Sequence, residues 1–381
     1  MRDTPLRAVE FYCGIGGLHW ALKRARPNGA TVVASYDVNP LACDTYALNF
    51  GARPSGTDIR ALKPTQLDAH EADLWLLSPP CQPYTRTGLQ LGKDDGRAGS
   101  LTVLLGVLCQ MSRPPARLLL ENVVGFDRSE MRDDLVAALH SCGYALHEFV
   151  LSPTQCGVPL SRPRYFLLAA LRPGPCCRLA VPLAVTPCTQ LPPPADAEAE
   201  ACNADAAEMR FYLEQSGDVW GGEYAVPWSA VRTSLLAIDF IHPGTCLPAS
   251  ANCVTKAYGR YAKGTGSLVI GSGGEVDRLF AVVQRDATKH AAAAGVEVPA
   301  NPGGGKAGML GPLIATHLHD WPADAPALRY LTPAEIARLH GFPATLAFPD
   351  HVTRLQRYAL LGNSLSVDVV ARLLEHLLTG D

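Results

Sequence analysis

The sequence predicts an open α/β fold, in which mainly parallel strands alternate with helices on both faces of one sheet. Three observations predict it. A strand from Arg7 to Tyr12 is followed by a glycine-rich turn and a helix, and a second strand, 31–36, ends in Asp37. A further strand, 74–77, consists of four apolar residues and stops at two prolines. Because such sheets bind ligands where their strands end, functional residues are expected there.

Length and composition limit the possible functions. The chain has 381 residues, which suits one large domain and a smaller one. Its net charge of -3 argues against binding polyanions through the whole surface, so any nucleic-acid contact requires a local basic patch. No apolar run approaches the roughly 18 residues of a membrane span. The first strand starts so early that no signal peptide is expected.

The chain has twelve cysteines, and none is spaced Cys-x-x-Cys. This spacing disfavours a zinc site, and no metal is expected. Without a secretory signal we expect a reducing compartment, no structural disulfides, and mostly buried thiols. Cys81 is the exception, because it directly follows Pro79 and Pro80 at the end of a buried strand. It is a candidate nucleophile.

The turn Cys13-Gly14-Ile15-Gly16-Gly17 follows the first strand and precedes a helix from Leu18 to about Arg26. This pattern is typical of a dinucleotide or adenosyl cofactor site, where glycines let backbone N–H groups approach the ligand. His19 occupies the position of the third glycine, so a purely structural turn is the alternative.

Two acidic residues extend this pattern. Asp37 ends the second strand about 20 residues after the glycines, which is the sequence spacing at which a carboxylate accepts hydrogen bonds from a ribose. The alternative is an N-cap for helix 40–50. Asp58 follows a weak third strand. It is placed to bond an adenine amino group or to cap a helix near Pro64.

The loop 78–99 is long and contains three basic residues and several glycines, and long loops are often functional. It predicts a lid over a phosphate-bearing substrate, with a solvated surface loop as the alternative. Its basic residues are Arg86, Lys93 and Arg97.

Glu121 emerges from the strand 117–120 at the same sheet edge as Cys81, which suits acid–base chemistry. A helix 130–142 and the strands 144–151 and 165–170 complete the sheet. Arg162 and Arg164 alternate on an extended segment, so their side chains point to one side. This arrangement suits a clamp on a base or phosphate, and surface ion pairs are the alternative.

The later part of the chain alternates between biased and patterned segments. The tracts 173–208 and 291–311 are rich in Pro, Ala or Gly and indicate linkers or insertions. Between them, 252–266 interleaves basic and aromatic residues, as nucleic-acid surfaces do. Thr332 opens a capped helix that ends near His340. A last amphipathic helix follows Asn363-Ser364, with Val369, Val370, Leu373 and Leu377 facing inward.

Taken in order, these segments resemble the cytosine-5 methyltransferases. The resemblance rests on Phe11–Leu18, Asp37, Asp58, Pro79–Gln82, Glu121–Val123, Gln155–Arg164, Arg329–Pro343 and Gly362–Ser364. Pro79–Gly88 and Asn252–Leu268 are most similar to the type-2 branch, the tRNA (cytosine-5) methyltransferases. That branch has a Cys-Phe-Thr signature, and here it is Cys253-Val254-Thr255.

The resemblance implies a Rossmann-like, S-adenosylmethionine-dependent methyltransferase sheet with a smaller target-recognition domain. It implies a catalytic domain over 1–172, a recognition domain over 173–327, and a segment 328–381 that returns to the catalytic domain. It also implies that Cys81 adds to carbon 6 of a flipped cytosine while Glu121 protonates nitrogen 3. Arg162 and Arg164 would hold the base carbonyl and a neighbouring phosphate.

The cofactor implied is S-adenosyl-L-methionine. Its expected contacts are Phe11, Gly14, Gly16, Gly17, Leu18, Asp37, Val38, Asp58, Ile59, Pro79, Asn363 and Ser364. The expected substrate contacts are Arg86, Lys93, Arg97, Cys253, Thr255, Lys256, Tyr258 and Lys263, although the Cys253 thiol itself is predicted to be structural.

The implied substrate is tRNA, in particular cytosine 38 of aspartate tRNA, and the implied residence is cytoplasmic, with the nucleus left open. A DNA cytosine-5 methyltransferase shares every catalytic residue and is the main rival, and weak DNA binding is compatible with either enzyme. The glycine turn alone would also suit a nicotinamide oxidoreductase on the same sheet. A non-catalytic RNA-binding scaffold would keep the fold without transferring a methyl group.

Overall fold

A computed structural model gives the fold. It describes residues 5–80, 99–171, 186–192, 208–214, 216–231, 238–243, 250–271 and 327–379. The strands are β1 Leu6–Phe11, β2 Ala30–Tyr36, β3 Leu74–Leu77, β4 Arg117–Val123, β5 Tyr144–Leu151, β6 Leu160–Ser161, β7 Arg164–Leu171, β8 Phe240–Ile241, β9 Ala251–Asn252, β10 Leu268–Ile270 and β11 Leu328–Tyr330. The α-helices are α1 Gly17–Ala25, α2 Pro40–Phe50, α3 Pro64–Asp68, α4 Gly99–Leu108, α5 Glu130–Ser141, α6 Trp228–Val231, α7 Pro333–Leu339, α8 Arg354–Gly362 and α9 Val367–Leu378.

The main sheet has six strands in the order β2-β1-β3-β4-β7-β5. The first four are parallel, and β7 runs antiparallel to both of its neighbours. From β1 the chain passes to β2 on one side and later to β3 on the other, so the strand order reverses at β1. Such a switch point opens a crevice at the carboxyl ends of the strands. The predicted weak strand before Asp58 is wrong, because this stretch forms only one bridge, Tyr36 to Ser55.

Helices cover both faces of this sheet, as predicted. Alternation along β1 sends Ala8 into the core shared with α1 and α9, and Val9 into the core shared with α4 and α5. The last helix, α9, buries Val369, Val370, Leu373 and Leu377 on its inward side, which confirms its predicted face. The preceding helix α8 was not predicted.

Two small sheets complete the described structure: β11-β10-β8, and the pair β6-β9. Helix α7 starts with the predicted capping box, in which Thr332 Oγ1 accepts from Glu335 N and the Glu335 carboxylate accepts from Thr332 N. Both Nη atoms of Arg329 donate hydrogen bonds of 2.7 Å to the same carboxylate, and both side chains are buried. This pair connects β11 rigidly to α7.

One expectation about the cysteines is wrong. The C-terminal ends of α4 and α5 lie side by side, and Cys109 and Cys142 form a disulfide with their Cα atoms 5.8 Å apart. Neither residue has a local motif, because the pairing depends on helix packing across 33 residues of chain. Cys13 and Cys43 are buried free thiols, as expected.

Two observations bear on membranes and metals. In the parts of the chain that the structure describes, no helix has the length and apolar character needed to cross a membrane. In the same parts, no group of three or more His, Cys, Asp or Glu residues is placed to hold a metal ion.

Candidate active site

The switch point contains a cavity of about 470 Å³. Its walls are the ends of β1 to β4, and the turn 362–365 between α8 and α9 closes it. Ten of the twelve predicted cofactor contacts line it. They are Gly14, Gly17, Leu18, Asp37, Val38, Asp58, Ile59, Pro79, Asn363 and Ser364.

The other two predicted contacts lie behind the cavity wall. Phe11 is fully buried between Tyr36 and Trp75, with ring centroids 5.4 and 4.8 Å away. Gly16 caps α1 in the left-handed conformation, and a Cβ there would collide with the ring of Phe50. Both residues shape the glycine turn rather than line the cavity.

Asp37 fastens the glycine turn to the end of β2. Its Oδ2 accepts the backbone N–H of Gly14 at 2.8 Å, and its Oδ1 accepts that of Asn39 at 2.8 Å. The N-cap of α2 is Asn39, so the capping alternative for Asp37 is wrong. Burial raises the pKa of Asp37, although its backbone hydrogen bonds oppose the shift.

Asp58 also lines the cavity. It caps the 3₁₀ helix Ile59–Ala61 by accepting the N–H of Arg60, and it also pairs with the Arg60 guanidinium. The Arg60 hydrogen bonds lower the pKa of Asp58 to about 2. Asp58 therefore does act as an N-cap, but of this 3₁₀ helix and not of the helix near Pro64.

Glu121 is the carboxylate at the inner end of the cavity. Only 6% of it is exposed. Leu77 pairs with Leu120 in the parallel register, so Ser78 comes beside Glu121 and donates to its Oε2 at 2.7 Å. Arg164 stands diagonally across the antiparallel pair β4–β7, with its Nε 3.5 Å from Glu121 Oε1. Both carboxylate oxygens thus face donors.

The loop that leads to Cys81 is fixed to the same strand. Asn122 Nδ2 reaches the carbonyl oxygen of Pro79 at 3.4 Å, and Pro79 and Pro80 both line the cavity. Cys81 follows directly, but it lies outside the described residues, as do Arg86, Lys93 and Arg97. The described part of the loop therefore ends in the wall of the cavity that holds Glu121.

Arg162 is buried and bonds the protein backbone, which the sequence did not predict. It is 2% exposed, and its guanidinium donates to the carbonyl oxygens of Val254 and Gly362 at 2.9 Å, and to that of Ser364. Arg162 lines the cavity, but these hydrogen bonds hold its guanidinium against the protein backbone. The predicted base contact by Arg162 therefore stays a prediction, and Arg164 is the arginine whose Nε lies beside Glu121.

The segment 252–266 divides into buried and exposed side chains. Tyr258 is fully buried, donates to Ser267 O at 2.5 Å and accepts from Leu331 N at 2.8 Å, so its predicted role as a substrate contact is wrong. Lys256 and Lys263 are exposed. Thr255 is partly buried and its N–H bonds Thr265 O. Cys253 contacts both Arg162 and Arg164.

The cavity residues that were not predicted include Ser78, Asn122 and Tyr12. Tyr12 adopts a left-handed backbone, and its hydroxyl bonds Ser100 Oγ at 3.0 Å, which joins the glycine turn to α4. The sequence pattern does place Ser78 and Asn122 at strand ends. Their partners become visible only when β3 and β4 are known to be neighbours.

The reversed strand order, the antiparallel strand β7 between β4 and β5 and the cavity at the switch point fit the class of S-adenosylmethionine-dependent methyltransferase folds. Comparisons with known proteins refine this class. The model of the family described as "C-5 cytosine-specific DNA methylase" matches residues 6–201 and 252–379. The chain belongs to this family.

Full-length relatives agree with this assignment. The chain is 32% identical to the Homo sapiens protein named "tRNA (cytosine(38)-C(5))-methyltransferase", over 97% of this chain and 98% of that protein. It is 31% identical to the Dictyostelium discoideum protein named "DNA (cytosine-5)-methyltransferase", over 98% and 94%. Its fold matches the crystal structure of S. pombe Dnmt2 methyltransferase with a TM-score of 0.70 and 30% identity, over 98% of both chains.

Proposed function

We propose that the chain methylates carbon 5 of cytosine in tRNA, at position 38 of the anticodon loop of aspartate tRNA, with S-adenosylmethionine as the methyl donor and a covalent adduct to Cys81. The observation that carries the proposal is the position of Glu121. Its carboxylate and the prolines that precede Cys81 line one cavity at the sheet's switch point. An acid and a nucleophile are the two groups that activation of cytosine requires.

The cavity residues fit the cofactor. A volume of about 470 Å³ lies in the range of small-molecule sites. Asp37 and Asp58 offer carboxylate acceptors for hydroxyl and amino groups, while Ile59, Pro79 and Leu365 offer apolar surface. When bound there, S-adenosylmethionine supplies an electrophilic methyl group.

The chain's own residues account for the remaining chemistry. The Cys81 sulfur forms a bond to carbon 6 of the base, and the displaced electron pair moves into the ring while Glu121 delivers a proton to nitrogen 3. Carbon 5 then carries the electron density that forms the new carbon–carbon bond. Loss of the carbon 5 proton restores the ring double bond and releases Cys81 as the thiolate, and the proton on nitrogen 3 returns to Glu121. Arg164, beside Glu121, stabilises the charge on this side of the base.

Three considerations favour tRNA as the substrate. The human protein and its Schizosaccharomyces pombe counterpart, 32% identical over 98% of this chain, are both named for cytosine 38 of tRNA. Exposed Lys256 and Lys263 give the segment 252–266 local positive charge on a chain whose net charge is -3. An anticodon loop also presents unpaired bases, which cost less to flip than bases in a duplex.

The test uses labelled S-adenosylmethionine with three substrates: aspartate tRNA, the same tRNA with uracil at position 38, and duplex DNA. We expect label only in the first, and none with Cys81→Ala. Bisulfite sequencing of the product identifies the modified base. Label in DNA alone would establish the DNA enzyme instead, and label in the uracil-38 tRNA would refute the position.

A further inference from the structure

We propose that Cys253 is a positioning residue for the methyl transfer: its sulfur atom joins the guanidinium groups of Arg162 and Arg164 and so holds Arg164 beside Glu121. The proposal rests on the proposed function, because it assigns Cys253 a part in that reaction. The predicted nucleophile is Cys81, and Cys253 does not line the cavity. Cys253 therefore acts through the arginines and not on the base.

The geometry puts one sulfur between two cations. Arg162 Nη1 donates to Cys253 Sγ at 3.0 Å, and Arg164 Nη2 approaches the same atom at 3.7 Å. Both distances are within the range of hydrogen bonds to sulfur. Two guanidinium groups this close repel each other, and an acceptor between them offsets the repulsion. The sulfur is that acceptor.

Arg162 is the fixed partner in this arrangement. Its guanidinium also donates to the carbonyl oxygens of Val254, in the segment 252–266, and of Gly362 and Ser364, in the turn that closes the cavity. Gly362 packs so closely on the Thr255 backbone that a Cβ there would meet backbone atoms. A guanidinium held on two such segments is a rigid anchor.

Arg164 is the partner that reaches the site. It is partly buried, and its Nε lies 3.5 Å from Glu121 Oε1. Without the sulfur, Arg164 would keep the repulsion from Arg162 and lose one of the contacts that set its orientation. Cys253 thus connects the anchored arginine to the arginine beside the acid.

The electrostatic surroundings of the sulfur favour the same role. Burial alone would raise the pKa of Cys253, but the charges of Arg162 and Arg164 outweigh burial and lower the pKa below its usual range. Glu121 also interacts electrostatically with Arg162. An anionic sulfur is a stronger acceptor for guanidinium than a neutral thiol.

The first experiment compares Cys253→Ala, Cys253→Ser and the control Cys188→Ala. Cys188 is a partly buried free cysteine whose sulfur contacts Gln190 O outside the cavity. We expect Cys253→Ala to lower kcat about tenfold or more, with KM for S-adenosylmethionine within about twofold of the wild-type value. Cys253→Ser keeps an oxygen acceptor and should recover part of kcat, and Cys188→Ala should match the wild type. Full kcat in Cys253→Ala, or no recovery in Cys253→Ser, would overturn the proposal.

The second experiment needs no substrate. The ultraviolet absorbance of thiolate anions is followed with pH in the wild type and in Cys253→Ser, so that the difference isolates Cys253. We expect the Cys253 thiolate to form at a lower pH than that of an ordinary cysteine, and titration at or above the usual range would refute the sulfur bridge. If the wild-type protein transferred no methyl group to tRNA, the proposed function would fail, yet this measurement would still decide whether the sulfur bridges the arginines.

Discussion

The hydroxyl group of Ser78 donates a 2.7 Å hydrogen bond to the carboxylate of Glu121. The two residues are 43 positions apart and come together because β3 and β4 are parallel neighbours in register. Ser78 also begins the loop that reaches Cys81 three residues later. One bond thus joins the predicted acid to the base of the loop that carries the predicted nucleophile.

Replacing Ser78 by alanine should slow methyl transfer without unfolding the protein. Glu121 is 6% exposed, so the lost donor leaves one carboxylate oxygen poorly compensated. We expect kcat to fall about tenfold, which corresponds to roughly 1.4 kcal/mol. The measurement is transfer of labelled methyl to tRNA by Ser78→Ala. Ser141→Ala serves as the control, since Ser141 bonds only its own helix, at Ala138 O, among the hydrogen bonds described. Equal rates for the two variants would contradict the assigned role of Ser78.

The two arginines should respond differently to removal. Arg162→Ala leaves the carbonyl oxygens of Val254, Gly362 and Ser364 without their donor in a buried place, which should cost several kcal/mol of unfolding free energy, at about 1–3 kcal/mol for each group. Arg164→Ala removes a partly buried group beside Glu121 and should chiefly lower kcat. Urea denaturation and methyl-transfer assays on both variants measure the contrast. Similar losses of stability would show that Arg162 is not the anchor.

Local features of this fold could be predicted from the sequence. The glycine turn, the capping box at Thr332, the inward face of α9 and the strand ends at Asp37 and Glu121 each depend on residues close together in the chain. Hydrophobic periodicity, helix caps and the residues that end strands depend on neighbouring residues and can therefore be recognised in the sequence. The cavity gathers these ends because the fold places parallel strand ends at one edge.

Pairings over long distances could not be predicted in the same way. Nothing near Arg162 indicates that its partners are carbonyl oxygens 92 and 200 residues away. The interleaved pattern around Tyr258 does not reveal which way the ring points, and the ring is buried because Tyr330 and Tyr358 pack against it. The disulfide likewise depends on how α4 and α5 pack.

Glu10 should make stability depend on pH. It is fully buried on β1, its Oε2 accepts the Tyr46 hydroxyl at 3.0 Å, and its Oε1 has no hydrogen-bond partner in the described part of the chain. Burial raises the pKa of Glu10 from 4.5 to about 8. A carboxyl group with a raised folded-state pKa stabilises the fold fully below its unfolded pKa, and this stability is lost as pH rises through the folded value.

The expected result is a wild-type free energy of unfolding that falls from about pH 5 to about pH 8. Glu10→Gln should flatten this part of the profile, because the amide stays neutral. Asp350→Asn, at an exposed position, controls for the loss of one negative charge. Thermal unfolding at several pH values across this range gives the free energy of unfolding of all three proteins. A wild-type slope that persists unchanged in Glu10→Gln would exclude Glu10 as its source.

The disulfide between Cys109 and Cys142 should stabilise the fold under oxidising conditions. Its 33-residue separation corresponds to about 3.7 kcal/mol of lost unfolded-state entropy in the chain-entropy model. We expect a reductant to lower the melting temperature of the wild type but not that of Cys109→Ser, which lacks the bond from the start. Alkylation before and after reduction, with peptide mapping, should show Cys109 and Cys142 modified only after reduction. If both peptides are alkylated without reductant and the two melting temperatures coincide, the cross-link does not form in solution, and the ends of α4 and α5 are held by their apolar contacts alone.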